Sequence, residues 1–458
     1  MLIYLFAMNM PKNKVSLINM KLTKISQSLM NFFNSNKDQC IKPIKLTKNT
    51  ESILGQLYDD IVDAHTSLQE VKKTVKSRNT TFYQMRLTRI TNASQIVKPS
   101  TFMSHYFPAN IRAHIDKHAM FTITYTFTIF DKNITVVFTV EEDDIDALLP
   151  IYNKYIEHIY LWIHVLKTYA APTCSQTLTI YLYFTSFSKT LPDTPIEVLD
   201  VVNVNTAVTT SCQPKTEIVI YRKEEWFKVL LHETFHSFGL DFSDMNNDEC
   251  TSRILKIFPV KSQVNLFESY CEFWAEIMNV LFCSFRVIKD KHDFNAFIAK
   301  CSEYINLEMN YSVFQVVKTL NFMGLNYEVM HSSKEYARTL RDNLYKEKTN
   351  VLSYYVVRMI LMTNVQATLN WCDEHNGMHL LLQFKKTAQN QRAFCDFIGK
   401  YYNNSYTLNS VGCMQRVWRE LIAKHGLKSA TNNTNNANNA NKKNFLMNNM
   451  RMSICELG

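Results

Sequence analysis

Residues 224–239 read EEWFKVLLHETFHSFG, and the motif inside them, His232-Glu233-Thr234-Phe235-His236, governs how the rest of the chain is read. The stretch predicts a helix. Residues four apart on an α-helix share a face, so His232 and His236 can offer ring nitrogens to one point. A Zn²⁺ ion held there needs a third protein ligand and leaves a fourth position for water. Glu233 stands beside the first histidine, where it can take a proton from that water.

Working outward, the sequence before the motif carries strand signals. Phe121-TITYTFTIF and Ile134-TVVFTV alternate apolar and polar residues across a short turn, the pattern of a β-hairpin. Residues 144–171 predict a long helix ended by Pro172, with Pro150 delaying its start. Leu178-TIYLYFT, Val202-NVNTAVTT and Glu217-IVIY predict three further strands. The order hairpin, helix, three strands and motif helix leads to a twisted sheet with two helices packed beneath it. Earlier still, residues 51–75 predict an amphipathic helix, a weaker helix is expected around residues 17–33, and residues 80–104 are ambiguous.

After the motif the pattern changes to helices alone. Residues 264–288, 293–310, 313–323, 334–345, 351–372, 379–402 and 413–425 are candidates, so this half predicts a helical bundle. Four regions follow: a basic arm over 1–50, an α+β unit over 51–262, a helical unit over 263–428, and an asparagine-rich tail over 429–458 expected to be disordered.

The totals exclude several classes. With 46% hydrophobic residues among 458, the chain can bury a large core, and 8 glycines argue against fibrous architecture. The net charge of +9 is modest and reads first as solubility. No basic module interleaved with aromatics is present, so no specific nucleic-acid partner is expected. The 11 cysteines form no Cys-x-x-Cys pair, which predicts free thiols in a reducing compartment. The apolar run Met1-LIYLFAM is too short to span a bilayer and lacks a basic flank, so an intracellular, cytoplasmic protein without a membrane partner is expected.

The third ligand is sought in Asn265-LFESYCEFWAEIMNVLF, an apolar helix studded with Glu268, Glu272 and Glu276. Acids four apart lie on nearly one face, and among such apolar neighbours they are costly unless something positive meets them. Here the chain resembles the gluzincins, zinc metallopeptidases in which a second helix downstream of H-E-x-x-H supplies the third ligand. Glu268-Ser-Tyr-Cys-Glu272-Phe is similar to that family's pattern, with Ser269 and Cys271 at its small positions. The resemblance implies Glu268 as ligand and Glu272 as a carboxylate orienting a histidine. A shifted register, Glu272 as ligand and Glu276 as orienter, stays open. The metzincin pattern is met through Gly239 but places Phe242 at its third-ligand position, with Asp241 and Asp244 out of register.

The resemblance covers roughly residues 178–288. It implies a zincin-like twisted mixed sheet of the α+β class, a polypeptide substrate paired with the edge strand at 202–211, and peptide hydrolysis with Glu233 as general base. Tyr355, or Tyr354, beside Arg358 is the candidate for stabilising an oxyanion. Two other classes are carried along: a zincin-fold protein with little turnover serving binding or virion architecture, and a basic nucleic-acid binder. The asparagine- and lysine-rich composition suggests the AT-rich genome of a large DNA virus, which would place the protein in host cytoplasm or virion.

Overall fold

The computed structural model describes residues 21–35, 40–377, 380–429 and 445–458. Helices α1 (Lys24–Ser35) and α2 (Lys48–Ser77) lead into strand β1 (Gln84–Arg89), and α3 (Ala109–His118) precedes a hairpin of β2 (Phe121–Ile129) and β3 (Lys132–Val140). Ile129 pairs with Lys132, so the turn is the two residues Phe130 and Asp131, both at positive φ. That is the geometry that matches the twist of the flanking strands. Then come α4 (Leu149–Tyr169) with Pro150 in its first turn, β4 (Thr177–Phe184), α5 (Val201–Val204), β5 (Ala207–Thr209) and β6 (Lys215–Ile220).

The strands form one sheet in the order β1-β2-β3-β4-β6-β5. β3, β4 and β6 run parallel, while β1, β2 and β5 attach antiparallel to their neighbours. The architecture is α+β with a mixed sheet. Alternate residues of β2, among them Ile123, Tyr125 and Phe127, point into the main core, as do Leu178, Ile180 and Leu182 of β4. The opposite face carries a smaller core in which Val137, Tyr181, Tyr183, Val219 and Tyr221 meet Phe107, Ile111 and Ile115. The central strands are buried on both faces, as parallel strands require.

Below the sheet lie α4 and α6 (Trp226–Ser237), followed by α7 (Asp248–Ile257), α8 (Leu266–Val287) and α9 (Phe294–Phe322). The last helices, ending with Ser405–Ser429, pack on the same core, which runs without a break across residue 262. No helix among the described residues is long and apolar enough to cross a membrane.

Several expectations are corrected. β1 and α3 fill the region left ambiguous or unassigned. The strand expected at 202–211 shrinks to Ala207–Thr209, because Asp200 caps a short helix by accepting from Val201 N while Asn203 Oδ1 accepts from Asp200 N. Cysteine pairing also differs: Cys40–Cys413 and Cys174–Cys212 are disulfides, and the other seven cysteines are free and buried. Sequence separations of 373 and 38 carry no local signal of either bridge.

The tail departs most. Residues 430–444 lie outside the described residues, as do 1–20, but residues 445–458 are not a disordered end. Met450, Arg451, Met452, Ser453, Ile454 and Cys455 are buried in the main body, and Leu457 bridges to Leu22 beside α1. The basic arm is likewise docked in part: Phe33 of α1 packs edge-on against Tyr311 and Phe314 of α9.

Candidate metal centre

Helix α6 is buried almost all round, between the sheet above and α8 below, so its polar side chains, the motif residues among them, must find partners inside the protein. Trp162 Nε1 of α4 donates to Thr234 Oγ1 at 2.8 Å, fixing the helix within the motif. The helix ends at Gly239, where φ is +68° and Leu240 N donates back to Phe235 O at 2.8 Å. A left-handed residue closing a helix in this way is usually glycine. The reversal carries Asp241 back beneath the motif, where its carboxylate accepts from His236 Nδ1.

His232 Nε2 and His236 Nε2 lie 3.2 Å apart, and Glu268 Oε2 of α8 lies 3.1 Å from the first and 3.4 Å from the second. On the far side of each ring stands another carboxylate: Glu272 Oε1 is 3.0 Å from His232 Nδ1, and Asp241 holds His236 Nδ1. The Asp241 carboxylate bonded to His236 Nδ1 keeps the proton on that nitrogen, so its Nε2 presents a lone pair, and Glu272 beside His232 Nδ1 is close enough to favour the same tautomer there. Two lone pairs and a carboxylate oxygen then face one point, an arrangement that only protons or a cation reconcile.

The spacing fits a cation. Donors about 2.1 Å from a tetrahedral zinc sit about 3.4 Å from one another, against the 3.1–3.4 Å found here. His232, His236 and Glu268 therefore form a group able to hold a metal ion. A second group of three, His236, Asp241 and Cys271, shares His236 and lies behind it.

The electrostatics agree. Burial disfavours the imidazolium of His232, yet the Glu272 carboxylate and the bonds to Glu268 and Glu272 raise its pKa to about 9. Burial opposes the charge on His236 too, and Cys271, Asp241 and Glu268 outweigh it. Glu268, despite burial, is pulled down to about 2 by the two imidazoles. The pocket thus favours positive charge at its centre. Glu233 is 8% exposed, and burial raises its pKa while both histidines partly oppose the rise.

The three acids of α8 separate by role. Glu268 meets both Nε2 atoms. Glu272 meets His232 Nδ1 and, through Oε2, the buried Lys228. Glu276 is one turn too far and pairs with Arg358. The geometry thus brings Glu268, and not Glu272, to the shared point.

Tyr355 is not brought to the site. Its hydroxyl donates to Met450 O at 2.7 Å, deep in the core. Its neighbour Tyr354 is the tyrosine beside the motif, with ring centroids of Tyr354 and His232 6.0 Å apart. Arg358 is also spent internally, on Glu276, Tyr354 O and Met452 O. Phe242, at the metzincin position, is core and packs against Phe384. β5 is the sheet's edge strand, as expected of the substrate-pairing segment, but only three residues long. Read from the sequence, Asp241 is set aside as out of register and Lys228 is not singled out. Gly239 was the available signal for Asp241, since a helix-ending glycine predicts a reversal. Compared with family models, curated proteins and solved structures, the chain matches none.

Proposed function

We propose that this chain is a zinc-dependent peptidase of the gluzincin type, hydrolysing peptide bonds. The observation that carries the reading is the convergence of His232 Nε2, His236 Nε2 and Glu268 Oε2 with a carboxylate behind each ring. His232, His236 and Glu268 would hold the zinc, whose chemistry is to acidify a water and polarise a carbonyl. Glu272 and Asp241 fix the two imidazoles in the tautomer that leaves Nε2 free. Glu233 takes the proton of the attacking water and passes it to the leaving amine. Burial that raises its pKa brings it nearer the neutral range in which a general base works. Tyr354, rather than Tyr355, is the phenol near enough to the motif to support a developing oxyanion. The backbone of Ala207–Thr209 is the edge at which an extended polypeptide can pair.

One observation favours a second reading. With Glu233 only 8% exposed, the same residues would also suit a zinc-holding fold used for binding, with little turnover. Metal analysis and a peptide-library cleavage assay separate the two. Wild type should carry one zinc and cleave; Glu268→Ala should lose the metal; Glu233→Gln should keep it and lose about 10²–10⁴-fold in rate. Zinc without cleavage supports the second reading, and no zinc in wild type removes both.

A further inference from the structure

The C-terminal residues 449–456 thread between α6, α8 and α9, and most of their backbone N–H groups and several side chains are bonded there. Asn449 Nδ2 donates to Glu224 Oε1 at 2.7 Å. Met452 N and Ser453 N both donate to Glu225 Oε1, at 3.0 and 2.6 Å. Ser453 Oγ, Ile454 N and Cys455 N converge on Glu308 at 2.7–2.9 Å, and Glu456 Oε1 accepts from Glu225 N at 2.7 Å. Glu225 is itself closed by Lys189, 2.5 Å away.

Met452 sits where this network meets the metal centre. Its carbonyl accepts from Arg358 Nη1 at 2.7 Å, and its Sδ lies 3.9 Å from Lys228 Nζ. Lys228 pairs with Glu272, whose other oxygen lies 3.0 Å from His232 Nδ1. Lys228 makes its direct ion pair with Glu272 while Glu225 and Glu276 stand nearby, so which carboxylate it rests on depends on how it is packed. Met452, held in place by its backbone bonds to Glu225 and Arg358, is the residue of this segment that lies against Lys228 Nζ.

We propose that residues 449–456 are a positioning segment for the metal centre, holding Lys228 on Glu272 and so Glu272 on His232. The inference rests on the zinc reading above. The segment follows the asparagine-rich residues 430–444, so a recognition sequence for a specific protease can be inserted there and cut after the full chain has folded. Zinc affinity is read by competition with a chromophoric chelator, with far-UV circular dichroism and melting temperature recorded beside it.

Release of the cut segment should weaken zinc binding about tenfold or more, and a synthetic peptide of residues 445–458 should restore it. Unchanged affinity after release, with the fold intact, overturns the proposal. If the uncut chain binds no zinc, the metal reading itself has failed, a result the cut cannot imitate.

Two full-length variants decide the matter if the segment stays bound or the cut chain unfolds. Met452→Leu keeps an apolar cover and every backbone bond, and should bind zinc as wild type does. Met452→Glu offers Lys228 a rival carboxylate and should lose about tenfold. Equal affinities in the two variants would overturn the proposal.

Discussion

Replacing Glu272 by glutamine is the perturbation whose consequences are most fully determined. The side chain serves two partners: Oε1 faces His232 Nδ1 at 3.0 Å and Oε2 pairs with Lys228, the pair being 7% and 2% exposed. The substitution would leave Lys228 buried opposite a neutral amide. Losing one partner of a buried pair costs about 3–5 kcal/mol, and glutamine, which still accepts a hydrogen bond, belongs at the lower end. Unfolding entropy of about 2.1 cal/mol/K per residue gives roughly 1 kcal/mol/K for the whole chain, so about 3 kcal/mol corresponds to about 3 °C in Tm. The second loss is separate. His232 keeps an acceptor at Nδ1 but not a charged one, and changes behind a ligand of this kind weaken metal binding about 10–100-fold.

The two effects part in Lys228→Met with Glu272→Gln, where the orphaned cation is gone as well. Stability, followed by calorimetry without metal, should return to within about 1 kcal/mol of wild type, because a buried pair replaced by groups of similar volume is close to neutral. Zinc affinity should remain about 10–100-fold low. If the double variant regains zinc affinity too, Glu272 is only a counterion for Lys228 and does not orient His232. If Glu272→Gln abolishes zinc while Glu268→Ala retains it, the ligand is Glu272 and the geometric argument is refuted.

Gly239→Ala should cost about 1–2 kcal/mol in urea denaturation, because φ is +68° there and an added Cβ would lie 3.2 Å from Cys212 Cβ. Zinc affinity should fall with it as Asp241 shifts from His236. Lys318, buried beneath the C-terminal segment with its pKa pushed down to about 7 from 10.5 by burial, binds its proton more tightly unfolded than folded. Stability should therefore rise between about pH 7 and 10.5, by at most about 1.4 kcal/mol per unit, and this slope should flatten in Lys318→Met. In the peptidase reading Tyr354→Phe should keep zinc and lose about 10²-fold in kcat/KM, whereas Tyr355→Phe should chiefly affect stability through its lost bond to Met450 O.

What could be read from the sequence was what local spacing encodes. The hairpin at 121–140, the motif helix and the Glu268-to-Glu276 face all announce themselves within a few turns or strand repeats. β1 did not, because QMRLTR lies at the sheet edge, largely exposed, and its alternation is carried by only two apolar residues, Met85 and Leu87. At 201–204 β-branched residues favoured a strand, and the Asp200 and Asn203 caps overrode them. Tyr354 and Tyr355 were misplaced for a geometric reason. Residues 352–357 form a π-helical turn, wider than the α-helix, so the α-helical phase that groups Tyr355 with Arg358 does not hold there. The C-terminal segment gave no signal of its own, since its burial depends on Glu225, Glu308 and Arg358 in three distant elements.

The face of α8 shows why the ligand register is decided by partners rather than by pattern. Glu268, Glu272 and Glu276 are equivalent by spacing, each about 6 Å along the axis from the next. Two imidazoles bring Glu268 down to about 2; burial resists, but Lys228 and His232 hold Glu272 below the usual carboxylate range. Glu276 goes the other way: burial raises it well above that range and Glu308 adds to the rise, against Arg358. Only the first acid stands level with both Nε2 atoms; the second stands level with Nδ1, where it can orient but not ligate without turning the ring. A flip of His232 about its Cβ–Cγ bond would put a ring carbon where Nε2 now stands and so remove the nitrogen from its place beside Glu268 Oε2. With Glu272 occupied by Lys228 on one oxygen and standing beside Nδ1 with the other, Glu268 is the acid of this face that reaches both Nε2 atoms.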